Sequence, residues 1–326
     1  CLNSVRNIDE DPETWGFIRT DIYVSSLEDT PASAVIGELG EDPRVDYTYG
    51  VNKVYPKYQP GKGESWRSMV AELYELPWNE KVKDKSLFGR RPQKENEIGI
   101  GMALAEEYGL QIRETMELFI NGEKKEYEIT GIFQTLSNSG KVIRMVTDDL
   151  DSFVKGEKKS GDYMLVLKAG TDKWEYAEEL NEKYGGRFTF IASKSNGENI
   201  SGILAPIAGT VLGLLLVTVV LVTTNLTFLL VRQERKLIGL LKAVGMTSRE
   251  ILKIYLWQNC LPAVVGTVLG FLAGTYIMPG ALGAYAKEFG LTEFPFVNSL
   301  EGVSVGILLL PACMFAGTWV VVRMIH

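Results

Sequence analysis

Apolar and polar positions change character near residue 197. Beyond it, three stretches carry no charged residue: 201–231 over 31 positions, 254–286 over 33 and 302–322 over 21. All three are dense in Leu, Val, Ile and Ala. A membrane-crossing helix needs about 20 apolar residues at about 1.5 Å each, so the pattern predicts spans near 203–231, 254–279 and 303–322. Three such runs used as core helices of a soluble domain would leave too little surface for water. Pro262 and Pro279 lie in the second run, where proline kinks or ends a helix. Glycines recur four apart, at Gly209 and Gly213, at Gly266, Gly270 and Gly274, and at Gly302 and Gly306. That spacing predicts close helix–helix packing in lipid.

Before residue 197 the pattern is that of a water-facing α+β domain. Strands are predicted at 17–25, 45–51, 163–168 and 187–192. Thr30 and Pro31 read as the N-cap and first position of a helix running through Leu39. Residues 173–184 read as a helix ended by Gly185 and Gly186. These are two βαβ-like units flanking an insertion near 95–150. Within the insertion, 102–108 is predicted helical with Gly109 as its cap. Residues 115–120 and 125–132 form a predicted hairpin across Asn121-Gly122, a strong turn pair.

Charge sharpens the division into an extracytoplasmic domain, 1–197, and a transmembrane domain, 198–326. The 326-residue chain has a net charge of −7. Residues 198–326 hold eight Lys/Arg against six Asp/Glu, a net of +2, and the other 26 basic and 35 acidic residues give 1–197 a net of −9. That acid excess argues against nucleic acid as a partner. Six Lys/Arg lie in 232–253 against two Glu, whereas 287–301 has one Lys against three Glu. The positive-inside bias puts 232–253 in the cytoplasm and 1–197 outside a bacterial-type plasma or inner membrane. The odd span count, and Cys1 where Met is expected, predict a preceding segment, read as a further transmembrane helix. A lipidated Cys1 is the rival reading.

The loop 232–253 is the most informative segment. Leu237, Ile238, Leu240, Leu241 and Val244 fall at helical spacing as one apolar stripe, with Arg235, Lys236 and Lys242 as a basic flank. Gly245 sits where a left-handed C-cap belongs. Thr247 and Glu250 fit a capping box that starts the next helix. Taken alone, such a helix either lies in the membrane interface or docks a partner.

The run from Glu234 to Thr247, E-R-K-L-I-G-L-L-K-A-V-G-M-T, resembles the E-R-R-R-E-I-G-L-L-K-A-L-G-A-S signature of FtsX-like permeases. These are ABC-transporter membrane subunits that include MacB-type exporters. Leu237 departs from that signature, which has Glu there. Residues 103–133 resemble the MacB-type periplasmic core domain, with Arg113-Glu114 in place of its Gly-Asp. The resemblance implies a four-helix unit with a large extracytoplasmic domain after its first helix. It implies that the βαβ-like ends form one subdomain and 95–150 a second, mostly β one. It also implies a cytoplasmic ABC ATPase partner holding ATP and Mg, and a second permease copy or homologous half in the lipid bilayer. The ATPase-coupling helix would comprise Arg235, Lys236, Leu237, Ile238, Gly239, Leu241, Lys242, Gly245 and Met246. ATP-driven motion would then reach the outer domain, to export, extract or release a ligand by mechanotransmission. The alternative is a regulator that passes the motion to an extracellular cell-wall hydrolase or signalling partner.

Chemistry of other kinds is sparse. The one histidine, His326, leaves no Ser-His-Asp arrangement and no His-based metal site. Cys1, Cys260 and Cys313 form no cluster. No G-x-x-x-x-G-K-[ST] run occurs, so ATP chemistry is assigned to a partner and no cofactor to this chain. Aromatics crowd 47–88, including Tyr47, Tyr49, Tyr55, Tyr58, Trp66, Tyr74, Trp78 and Phe88. They read chiefly as core and strand packing, with a ligand-gripping surface as the second reading.

Overall fold

The computed structural model describes residues 8, 11–27, 30–61, 63–154, 161–194, 196–293 and 300–323. The chain divides into two compact units. One holds Val5–Asn199 with Leu282–Pro295, and the other holds Ile200–Ala281 with Phe296–His326.

The first unit is built on a 12-stranded sheet. In chain order its elements are β1 (Ile22–Ser26), α1 (Ser33–Gly40), β2 (Val45–Val54), β3 (Lys57–Tyr58), β4 (Arg67–Ser68), β5 (Val70–Glu75), β6 (Ser86–Gly89), β7 (Glu97–Gly101), α2 (Met102–Tyr108), β8 (Thr115–Ile120), β9 (Glu123–Phe133), β10 (Val142–Thr147), α3 (Leu150–Val154), β11 (Tyr163–Leu167), α4 (Lys173–Tyr184) and β12 (Phe188–Ala192). The sheet order is β12-β1-β11-β2-β5-β10-β7-β9-β8-β3-β4, with β6 on β9. The two end units interleave: β11 lies between β1 and β2, and β1 between β11 and β12, all antiparallel. This is the split βαβ arrangement. Strands of the insertion extend the same sheet, because the ten-residue β2 pairs first with β11 and then with β5.

Period-2 alternation sorts the two faces. Ile22, Val24, Leu73, Ile98, Ile143 and Leu165 point to one side and are fully buried. They share one core with Val35 and Leu39 of α1, Leu104 of α2, and Tyr176, Leu180 and Tyr184 of α4. Asp172 caps α4 by accepting from the amides of Trp174 and Glu175. Asn121 (φ 51°) and Gly122 (φ 84°) form the left-handed pair that a tight hairpin needs.

Several boundaries differ from the sequence reading, most by one to three residues, and two at the start of the chain differ most in kind. The first strand is Ile22–Ser26, not 17–25; just before it the Asp21 carboxylate, rather than a backbone carbonyl, takes the Leu167 amide (2.8 Å). The first helix starts at Ser33, and Thr30 does not cap it; the Thr30 carbonyl accepts from Ser26 Oγ at 2.6 Å.

The second unit contains α5 (Asn196–Gln233) from Ile200 on, α6 (Arg235–Ala243), α7 (Ser248–Tyr276), the start of α8 (Met278–Lys287) and α9 (Leu300–Arg323). Ala205–Gln233 and Ser248–Lys287 are long and apolar enough to cross a membrane. The third expected span is helical as α9, but its apolar stretch among the described residues is the shorter Pro311–Val321. Helix α7 runs through Pro262 and ends one residue before α8, whose second residue is Pro279.

Five of the seven spaced glycines face open space among the described residues. A Cβ at Gly209, Gly213, Gly266, Gly270 or Gly274 would meet nothing within 4 Å. The surroundings of Gly302 and Gly306 lie outside the described residues. Gly317 of α9 makes a close approach, where a Cβ would stand 3.2–3.4 Å from Val220, Thr223 and Thr224 of α5. Thr223, Thr227 and Thr318 are buried at this threonine-rich contact.

Candidate functional site

Two places carry chemistry: a basic helical hairpin in the second unit and a tyrosine-lined cavity in the first. The hairpin joins α5 to α7 through α6. Its interior is a small core of Val231, Ile238, Ile251 and Tyr255, against which Leu241 and Met246 pack. Gly245 (φ 102°) follows α6, and its amide bonds to the Lys242 carbonyl at 3.0 Å. The Met246 amide reaches back to the Leu241 carbonyl at 3.0 Å. These are the two bonds of a Schellman cap, which satisfies carbonyls that a helix end leaves open. Thr247 and Glu250 then form the capping box of α7, with the Thr247 amide 2.7 Å from Glu250 Oε2. So residues 244–247 stop one helix and start the next using only local groups.

The five-residue stripe read from the sequence splits in two. Ile238 and Leu241 turn inward, while Leu237 (49% exposed), Leu240 (63%) and Val244 (79%) form an outward ridge at i, i+3 and i+7. Arg235, Lys236 and Lys242 are exposed beside it, and among the described residues none of the three pairs with a carboxylate. Gly239 has open space around it. Sequence reading missed the clasp behind this surface, in which Tyr255 Oη donates to Glu234 Oε2 at 2.7 Å.

The cavity, about 980 Å³, lies on the sheet face opposite the helices. Tyr23, Met164 and Tyr49 form one cross-strand row of its wall. Glu72, Tyr74 and Arg144 extend the wall on β5 and β10, and Pro12 with Gly16–Asp21 closes the other side. Tyr49 Oη lies 2.5 Å from Thr20 Oγ1 and donates to the Arg19 carbonyl at 3.1 Å. Tyr74 donates to Glu72 at 2.8 Å, and the same Glu72 oxygen accepts from Arg144 Nε at 3.3 Å. Burial raises both Tyr49 and Tyr74 above the usual tyrosine value, so they act as neutral donors.

Arg144 is 2% exposed. Its guanidinium also binds the Asp84 carboxylate and the Gly16 carbonyl (2.8 Å), and lies 3.8 Å from the Phe133 ring centroid. The aromatic cluster at 47–88 therefore divides. Tyr49 and Tyr74 line the cavity, whereas Tyr58 packs on Tyr108 and Trp66 on Phe119. The sequence sign for Arg144 was a lone charge inside the apolar strand V-I-R-M-V. Among the described residues no group of three His, Cys, Asp or Glu side chains is placed to hold a metal. Cys1 and His326 lie outside the described residues.

The hairpin falls within residues 209–326, which match the family described as FtsX-like permease C-terminal. The C-terminal part of the chain is thus similar to the FtsX-like permeases. A protein of Staphylococcus haemolyticus described as a hemin transport system permease, HrtB, is 24% identical over 263 residues, 76% of this chain and 71% of that protein. An uncharacterized ABC transporter permease of Methanocaldococcus jannaschii is 22% identical over 176 residues, 51% of this chain and 44% of its own length. Among solved structures, the periplasmic region of MacB from Actinobacillus actinomycetemcomitans aligns with a TM-score of 0.38 and 10% identity, covering 61% of this chain and 98% of that one.

Proposed function

We propose that this chain is the membrane subunit of an ABC transporter, coupling ATP hydrolysis on a separate ATPase to movement of its α+β unit. The observation that carries this is the ridge Leu237–Leu240–Val244, exposed on a helix that its own caps hold in place and flanked by Arg235, Lys236 and Lys242. An apolar ridge on a helix suits a hydrophobic groove, and the three cations suit an acidic rim that steers docking. A groove on a cytoplasmic ABC ATPase supplies the partner, consistent with the family match. The glycine stripes of α5 and α7, open among the described residues, suit contact with a second permease copy in the bilayer.

The tyrosine-lined cavity supports handling of a ligand by the α+β unit on the outer side of the membrane. The relative described as a hemin transport permease makes hemin the first ligand to test. The decisive experiment is co-purification of the full chain with its ATPase, with Arg235→Glu and Lys242→Glu combined. Assembly and permease-stimulated ATP hydrolysis are expected to fall together. Unchanged assembly and stimulation in that variant would sink the docking proposal.

A further inference from the structure

One buried side chain of the α+β unit is used by neither site. Gln134 follows β9 and is 1% exposed. Its Oε1 accepts from the amides of Thr292 (3.1 Å) and Glu293 (2.9 Å). Its Nε2 donates to the Glu293 carbonyl (3.2 Å) and to the Thr14 carbonyl. A carboxamide offers two donors and one acceptor oxygen with two lone pairs, so this one is fully engaged, and with two separate stretches of chain.

The first stretch, 290–293, lies between α8 and α9. Gly290 (φ 85°) presses on Gly140, where a Cβ on Gly290 would stand 2.4 Å from the Gly140 Cα. Leu291 is buried, and Glu293 pairs with Lys85 at 2.9 Å. These residues form a strap seated on the α+β unit. The second stretch, at Thr14, lies between Pro12 and Gly16 of the cavity wall. Gly16 packs on the Gln134 backbone, leaving no room for a Cβ, and its carbonyl accepts from Arg144 at 2.8 Å.

We infer that Gln134 is the positioning residue through which the strap controls the cavity wall. If 290–293 lifts away, Gln134 Oε1 loses both donors inside a buried site, which is costly. The side chain then turns to water and drops the Thr14 carbonyl. The wall formed by Pro12 and Gly16–Asp21 loosens, and the cavity opens. The source of the lift rests on the reading above. The 40-residue run Ser248–Lys287 begins at the hairpin and ends at the strap, so motion imposed on the hairpin has a covalent path to Gln134. The linkage itself does not depend on that reading.

Hydrogen exchange on the full chain in detergent micelles tests it, with Gly290→Val unseating the strap while Gln134 stays in place. Exchange at 292–293 and at the Gly16 and Phe17 amides, which bond to Glu13 and Pro12, is expected to rise together by about tenfold or more, as for a local opening. Exchange in β5 and β10 stays unchanged. Gln134→Ala reproduces the double loss, whereas Lys85→Ala leaves 16–17 protected. With the three native cysteines replaced by serine, Val51→Cys on the cavity wall should react with a maleimide faster in the Gly290→Val background. Loss of protection at 292–293 with 16–17 still protected would overturn the linkage, as would full protection of both stretches in Gln134→Ala. No ATPase is present, so failure here and failure of hairpin docking are read separately.

Discussion

Tyr255, on the second turn of α7, donates a 2.7 Å hydrogen bond to the carboxylate of Glu234, at the junction of α5 and α6. One contact thus ties both ends of the basic hairpin. It fixes the direction in which Leu237, Leu240 and Val244 point. Tyr255→Phe keeps the ring in its core and removes the bond to a charged group, at a cost of about 1.5–3 kcal/mol. Assembly with the ATPase should persist while stimulated hydrolysis falls, measured on the co-purified complex.

The two faces of α6 predict opposite phenotypes. Leu240→Asp places a charge on the exposed ridge and should abolish co-purification while leaving the helical content of the chain unchanged by circular dichroism. Ile238→Asp buries a charge among Val231, Ile251 and Tyr255 and should unfold the hairpin itself. Retained assembly in Leu240→Asp would remove the ridge from the docking surface.

Gly245 holds φ 102° at the Schellman cap, a conformation other residues adopt at a cost. Gly245→Val should destabilise the hairpin by about 1–2 kcal/mol. Faster amide exchange at 242–247, with α9 unaffected, is the expected readout.

Arg144, in the cavity wall, neutralises Glu72 and Asp84. Arg144→Leu leaves two carboxylates without their buried partner and should cost about 3–5 kcal/mol. The midpoint of urea unfolding of the α+β unit, followed by tryptophan fluorescence, should drop accordingly. Arg19→Leu, whose side chain is half exposed beside Asp21, should move it by about 1 kcal/mol at most.

Acid stability has a specific contributor in Glu97. Both its oxygens are held by Arg90 at 2.7 Å, and the Gln93 amide adds a 2.8 Å bond. The Arg90 hydrogen bonds bring its carboxyl from 4.5 down to about 2. A carboxylate lowered in the folded state stabilises fully above its unfolded value. Its contribution, at most about 3 kcal/mol and reduced by solvent screening at the half-exposed Arg90, is therefore present above about pH 4.5 and lost as pH falls toward 2. Glu97→Gln should flatten unfolding free energy across that window and lower it at pH 7.

Local signals in the sequence carried far. Charge-free runs marked the helices, because a polar residue in such a stretch is costly in lipid. Gly245, Thr247 and Glu250 marked the break between α6 and α7, because caps are satisfied within a few residues of one another. Asn121-Gly122 marked the hairpin for the same reason. What the sequence left open depends on neighbours far along the chain. The apolar stripe of α6 read as one face, and only packing against Tyr255 and Ile251 decided that Ile238 turns in while Leu240 turns out. Gly317 approaches α5 closely while Gly209 and Gly213 face open space among the described residues, because which small residue meets a neighbour depends on helix rotation. The interleaving of β1 and β11, the cavity between Tyr49 and Gly16, and the reach of Gln134 to Glu293 join residues up to 159 positions apart. Such pairings are chosen by the closure of the whole sheet, and no local propensity encodes them.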